Sequence, residues 1–432
     1  MTSATGSGIT AARRWTILML LSLGVLIAFI DRTSISSAIA DKAFIRHFAL
    51  SDIDRGTLGS AFFWSYGVVQ LFMGWMVDRY GVKWLYTLFF LVWCVATTVT
   101  GFATSFAMIL ALRVLIGAAE SVVIPASYRW IRDNFEDRKA GLAIGFFTSG
   151  NKLGNAVGAP VAAWLIVHYD WKAMFIVTGV MGVLWLVPWM LVVPNDLSNR
   201  ESLAASQRTA ATVTWKSILS SPVVWGGVVV NYCYGYFGFF CATWMPAYLV
   251  ESRGLSLEQS GAYTFLSFAG IALVAILGGW WADKLIAKGR DPVAVRKGFI
   301  VAGFLGACTV LLGARATTLP VALFWIVTSL SVQGLATANM QALCRLQLIP
   351  RPAVGRVTGV HQVATSLSGG VAASLSGWLL YVSGGYGLPM FMIFVFLVIG
   401  AATTLLMMRP EWAPKVSEAG GMPPAHAERS RA

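Results

Sequence analysis

Gly74-Trp75-Met76-Val77-Asp78-Arg79-Tyr80-Gly81-Val82-Lys83 returns in part about 205 residues later as Gly279-Trp280-Trp281-Ala282-Asp283-Lys284. Each copy ends a long apolar run on an acid followed by a base, and a repeat at this distance divides the chain into two related halves. Working outward, apolar runs of ~20 residues separated by Gly, Pro, Asn or charge clusters predict twelve helices. They fall near 15–39, 55–77, 82–102, 106–128, 140–166, 171–194, 222–250, 258–286, 297–314, 320–346, 354–382 and 386–408. The longest polar interval, 195–221, separates them six and six. The expected fold is an all-α membrane protein with twelve transmembrane helices in two pseudo-symmetric halves. An N-terminal segment 1–14 precedes the first half, 15–194; a linker 195–221 leads to the second half, 222–408; a tail 409–432 follows. Such halves hold a site between them near mid-membrane and expose it by rocking.

Composition agrees with a membrane setting. The 432 residues are 57% hydrophobic and 12% charged, against ~25% charged in soluble domains. Arg13-Arg14 leads into the first apolar run with no small-residue cleavage site after it, so this run reads as an uncleaved span. The net charge of +13 does not indicate a nucleic-acid partner, because the cations are distributed by loop. Of the 32 Lys and Arg, six (Lys42, Arg46, Arg55, Lys172, Arg253, Arg315) lie in one set of alternate loops, and three (Arg32, Arg113, Lys152) lie inside spans. The rest fall in the other set of loops, which the positive-inside rule makes cytoplasmic together with both termini. The five cysteines lie in apolar segments without Cys-x-x-Cys spacing, which argues against disulfides and structural metal.

The chemistry is expected where charge is buried. Asp31-Arg32 lies roughly 16 residues, about 24 Å, into the first span. Charge at that depth costs at least ~2.5 to 3.5 kcal/mol, so it faces an internal cavity and has partners. In the fourth span Arg113 and Glu120 are seven apart, about two turns along one face, with Gly117 between them to leave that face open or admit a helix closely. Two acids and two guanidinium groups balance. Protonating an acid would leave an arginine able to take a carboxylate in its planar fork. Lys152 in Ser149-Gly150-Asn151-Lys152-Leu153-Gly154-Asn155 lies about twelve residues into its helix and cannot easily snorkel. It suits a second carboxylate of a dianionic substrate, or else pairs with an acid such as Glu120 or faces a wet crevice. The second half offers neutral groups instead: Asn231, Tyr232, Tyr234, Tyr236, Asn339, Gln341, His361 and Gln362, suited to hydroxyls and ring faces.

The loop pattern G-x-x-x-D-[RK]-x-G-x-[RK], Gly74 to Lys83, with its weaker copy from Gly279, resembles the major facilitator superfamily over residues 15–408. That resemblance implies a gate at Asp78, Arg79 and Asp283. Asp31-Arg32-x-x-Ile35-Ser36, R-x-x-x-G-x-x-E-x-x-x-x-P from Arg113 to Pro125, and Trp244-Met245-Pro246-Ala247-Tyr248-Leu249 with Arg253-Gly254-Leu255-Ser256 resemble its anion:cation symporter family. Members of that family include bacterial sugar-acid, hexuronate and aromatic-acid permeases, sialin and the vesicular glutamate carriers. The resemblance implies proton-coupling roles for Asp31 and Glu120, and substrate-anion and network roles for Arg32 and Arg113. It places Tyr66 and Gln70 in the cavity wall, Asn151 at a polar substrate contact, and Gln341 and Gln362 near substrate hydroxyls. Lys152 departs from the family pattern, which has an aromatic or small residue there.

No metalloprotease, P-loop or triad pattern occurs, so no enzyme is expected. The expectation is a monomeric symporter in the bacterial inner membrane, with protons as coupling ion and no other cofactor. It imports a small organic anion, a sugar acid such as a hexuronate or aldonate. An aromatic-acid symporter, with Tyr232, Tyr234 and Tyr236 as a stacking floor, and an anion facilitator without proton coupling are the alternatives. The coupling scheme requires the acids at 31 and 120 to reach a central water-accessible cavity.

Overall fold

The computed structural model describes residues 10–135, 137–195, 213–350 and 353–415. The ends of the chain, 1–9 and 416–432, and most of the expected linker, 196–212, lie outside the described residues. The first half comprises α1 Ala11–Ala38, a short α2 Lys42–Phe48, α3 Asp52–Tyr80, α4 Val82–Thr100, α5 Phe106–Glu120, α6 Val123–Asn134, α7 Asp137–His168 and α8 Trp171–Val192. The second begins with a short α9 Trp215–Leu219 and continues with α10 Pro222–Glu251, α11 Leu257–Ala287, α12 Pro292–Ala307 and α13 Val310–Arg315. It ends with α14 Leu319–Ala342, a π turn Leu343–Leu348, α15 Val354–Ser383 and α16 Gly387–Met407.

Counting α5 with α6 and α12 with α13 as bent spans, twelve segments cross, six in each half. Ten of them are long and apolar enough to cross a membrane on length and composition alone. The other two long helices, α3 and α7, carry polar stripes (Tyr66 and Gln70; Thr148, Asn151, Lys152 and Asn155) that dilute their apolar character. The α5/α6 break has a local cause. Proline lacks an N–H and collides with the carbonyl four residues back; Pro125 therefore cannot continue the helix past Ser121, and it sits in the first turn of α6, where proline is tolerated. This leaves Glu120 at a helix end, deep in the protein.

The repeat is legible in the helix ends. Ser51 caps α3 in a capping box with Asp54, and Ser256, 205 residues on, caps α11 in a capping box with Gln259. Gly81 turns the chain from α3 into α4 at φ +82°, a conformation that glycine adopts without a Cβ clash. In the second copy the turn glycine comes later, at Gly289 (φ +86°), and α11 runs on to Ala287 before it.

Close packing of α7 on α1 fixes the site. Gly150, Gly154 and Gly158 form a small-residue stripe at four-residue spacing; a Cβ on Gly154 would meet the Leu26 carbonyl at 2.6 Å, and one on Gly158 would overlap Thr33 Oγ1. Such stripes let helix backbones approach closely where lipid supplies no hydrophobic drive. Between the halves, α3 packs on α15, α7 on α11 and α1 on α10.

At the end opposite the termini the halves are latched. Arg55, at the start of α3, donates to Glu251 Oε1 at 2.6 Å and to Asp52 at 2.9 Å, and its guanidinium lies 5.1 Å from the Trp244 ring. Tyr386 donates to the other Glu251 oxygen at 2.7 Å; burial, reinforced by that carboxylate, pushes its phenol pKa up and keeps the hydroxyl a donor. At the termini end the expected gate residues make no such cross-half tie among the described residues. Asp78 pairs with Arg129 of α6 at 3.4 Å, Arg129 also donates to the Val77 carbonyl, and Arg79 lies over Trp75 and Tyr80. Asp283 pairs with Arg296 of α12 at 2.7 Å. Each expected gate charge is thus held inside its own half in this conformation.

Removing the Glu251 charge weakens the latch by about 1–3 kcal/mol. We predict that spin labels at positions 53 and 388 report an added longer-distance population in Glu251→Gln; an unchanged distance distribution would show that this ion pair does not hold the end closed.

Candidate functional site: a cationic cavity between the halves

Arg32 stands at the centre of the molecule with three rings around it, its guanidinium carbon 4.3 Å from the Phe29 ring, 5.0 Å from Phe62 and 4.7 Å from Tyr66. Its Nε donates to Glu120 Oε2 at 2.6 Å; Glu120 is fully buried and Arg32 keeps a small exposed part. Tyr66 is hydrogen-bonded to Arg32 and to Gln70. Gly117 allows this closeness: any Cβ there would overlap the Phe62 carbonyl and Ser65 Oγ of α3.

Asp31, on the other side of α1, faces α4. Its Oδ2 accepts from Trp93 Nε1 at 2.7 Å and Thr97 Oγ1 at 2.9 Å. Trp93 is itself fixed against Phe90 (4.4 Å between centroids) and the Trp185 and Trp189 stack beyond it. Arg113 is buried beneath the Phe62 ring at 5.1 Å and feels the charges of Asp31 and Glu120.

A cavity of about 560 Å³ lies between the halves. It runs from Arg32, Tyr66 and Asn155 at mid-helix toward Ile349, Val354 and Val357 at the end that carries the termini. Behind Arg32 is a second space of about 20 Å³, bounded by Arg32, Arg113, Phe62, Thr33 and Asn155, room for about one water. Arg32 borders both spaces; Arg113 borders only the small one.

Of the expected substrate contacts, Arg32, Tyr66, Asn151, Lys152, Gln341 and Gln362 line the large cavity, together with Asn231, Tyr234 and His361. The others do not. Gln70 supports Tyr66 from outside the wall. Tyr232 and Tyr236 point at α16, against Phe396 at 5.6 and 4.4 Å. At 3.6 residues per turn, positions two apart face nearly opposite ways, so Tyr234 alone of the three reaches the cavity, bonded to Thr337 at 2.7 Å. No stacking floor of three tyrosines exists. Asn339 is an internal strut, accepting from Arg296 at 3.1 Å and donating to the Leu335 carbonyl at 2.9 Å.

Asp31 and Glu120 also depart from expectation: neither lines the cavity. Glu120 lies one ion pair behind it, through Arg32, and Asp31 lies farther off in the α1/α4 seam. Lys152 is not paired with Glu120. None of the ion pairs among the described residues includes it, and no carboxylate among them lines the cavity. Among the lining residues not foreseen, which include Thr148, Thr337 and Thr365, is Asn155, which borders both spaces. Thr148, Asn151, Lys152 and Asn155 follow the i, i+3, i+4, i+7 spacing of one helix face, so the signal was present, on the face away from the glycine stripe.

In a background lacking the native cysteines, we predict that cysteines at 151, 152, 341 and 362 react with a small water-soluble thiol reagent, while those at 232, 236 and 339 do not. Fast labelling at 236 would place that face of α10 in the cavity instead.

Comparison with known proteins agrees with this architecture. The family model described as Major Facilitator Superfamily matches residues 21–344. A D-galactonate transporter of Escherichia coli O6:H1 is 27% identical over 419 residues, covering 92% of this chain and 96% of the relative. A probable galactarate/D-glucarate transporter of Bacillus subtilis is 30% identical over 339 residues, 72% of this chain and 73% of the relative. Among solved structures, an inward-facing, occupied bacterial homolog of the human lysosomal transporter Spinster superposes with a TM-score of 0.78 at 18% identity, covering 95% of this chain and all of that one. A D-xylose-proton symporter superposes at 0.73 and 16% identity, covering 93% and 99%. These two similarities concern the fold.

Proposed function

Because the chain belongs to the Major Facilitator Superfamily and is a multi-pass transporter of organic anions, not an enzyme, we propose that it is a proton-coupled symporter importing a sugar acid, such as a hexuronate or aldonate, by alternating access. The observation that carries this reading is the position of Arg32: it borders the cavity on one side and is bonded to a fully buried carboxylate on the other. While Glu120 is ionised, the guanidinium is neutralised from behind. A proton on Glu120 releases it, and a substrate carboxylate arriving in the cavity replaces the lost partner. Truncating one member of a buried pair costs about 3–5 kcal/mol because the other is left uncompensated. Proton and anion arriving together avoid that penalty, and this is the physical basis of coupling.

Asp31 is the second proposed proton site, one that this conformation keeps out of the cavity in the α1/α4 seam and that another state of the transport cycle has to open to water. Arg113 is the charge partner that holds both acids in the low dielectric. Gln341, Gln362, Asn151 and Tyr66 present donors and acceptors to hydroxyls, as a polyol acid requires. Relatives named for galactonate and for galactarate or glucarate support the same substrate class. The protein would act as a monomer in the bacterial inner membrane with both termini cytoplasmic, so the cavity opens inward here and the Arg55–Glu251–Tyr386 latch closes the outside.

The test is uptake into proteoliposomes under an imposed pH gradient. Labelled galactonate or glucuronate is expected to accumulate with the wild type. In Asp31→Asn and Glu120→Gln, gradient-driven uptake is expected to disappear while counterflow survives. Gradient-driven uptake that persists in both variants would remove the coupling role and leave an anion facilitator.

A further inference from the structure

Lys152 is the charge inside a span for which the coupling scheme has no use. It is half-buried on the polar face of α7, lines the cavity and has no carboxylate beside it among the described residues. A cation in such a place needs a partner, and the cavity it lines is the one the substrate enters.

The helix register gives its position relative to Arg32. Gly150 lies against Ser22, Gly154 against Leu26 and Phe29, and Gly158 against Ile30 and Thr33, so α1 and α7 run parallel with matched levels. Lys152 is then level with Gly24, eight residues from Arg32, an offset of ~12 Å along the helix axes at ~1.5 Å per residue. Both side chains are long and both enter the cavity, so the gap between their tips is shorter. Asn155 sits between them on the same face of α7.

Charge balance points the same way. With Glu120 protonated, the deep charges are Arg32, Arg113 and Lys152 against Asp31, a surplus of two positive charges. A monocarboxylate cancels half of it; a dicarboxylate cancels all of it.

We infer that Lys152 is a second anion-binding arm, and that the preferred substrate is a hydroxylated acid with a carboxylate at each end, one held by Arg32 and the other by Lys152. This deepens the sugar-acid reading and rests on it. The hydroxylated middle of the molecule lies along Asn155, Gln341 and Gln362, and Glu120 gives up Arg32 to the first carboxylate.

Calorimetric titration of the purified full-length protein with galactarate, which has two carboxylates, and galactonate, which has one, tests the inference. The wild type is expected to bind galactarate about tenfold or more tightly than galactonate, the scale of one charge-assisted contact. Lys152→Gln is expected to lower galactarate affinity about tenfold or more beyond any loss for galactonate, so that the preference disappears, with the thermal unfolding midpoint of the variant as the control for folding. Should Lys152→Gln bind neither acid, Lys152→Arg decides: a retained galactarate preference supports the assignment and its loss overturns it. Equal binding of the two acids by the wild type, or an equal loss of both in Lys152→Gln with Lys152→Arg no better, overturns the second arm and leaves the sugar-acid reading standing. Binding of neither acid by the wild type overturns both.

Discussion

The rest of the structure depends on a guanidinium and a carboxylate held 2.6 Å apart, the carboxylate fully buried behind the cavity wall. Desolvating two such ions costs several kcal/mol each, and their attraction repays this only when geometry and neighbouring groups are favourable. The surroundings of Arg32 and Glu120 meet that condition. Three aromatic faces receive the planar cation, Tyr66 supports it, and a glycine on α5 brings α3 close enough to do so. The proline-induced break after α5 puts Glu120 at a helix end beside it.

A second constraint follows from the membrane. Small-residue stripes, not greasy contacts, hold neighbouring helices together, and α7 uses one face for that purpose and another for the cavity. Gly150, Gly154 and Gly158 pin it to α1, which carries Asp31 and Arg32; Asn151, Lys152 and Asn155 look into the cavity. Any movement of α7 therefore carries α1 with it, so anion-binding groups on the two helices move as one unit. The latch at the far end is built differently, from charges contributed by both halves, and can part without disturbing either core.

Most of the fold was legible in the sequence because a membrane span is a one-dimensional signal: length, apolar content and flanking charge fix it. Repeat offset, loop charges and helix number all came from such counting. The short helices Lys42–Phe48 and Trp215–Leu219 and the break at Ser121–Val122 did not, since they depend on caps and on one proline. The site was half legible. Arg32, Asn151, Lys152, Gln341 and Gln362 were identifiable as polar groups with no reason to be in lipid, and they line the cavity. Tyr232, Tyr236 and Asn339 are polar for another reason, packing and strutting inside the second half. Residue type alone does not distinguish a wall from a strut; the angle around the helix does. The same limit applied to the acids, whose depth was evident but not that Arg32 stands between Glu120 and the open space.

The central claim is that a proton on Glu120 and an anion on Arg32 replace one another's partner, and it is tested most directly by measuring protons during binding. Substrate added to the purified protein in weakly buffered solution above neutrality is predicted to draw a proton from the medium, seen with a pH indicator, and Glu120→Gln is predicted to bind the same substrate with that uptake diminished. Substrate binding by the wild type with no proton uptake at any pH from 6 to 9 would contradict the account.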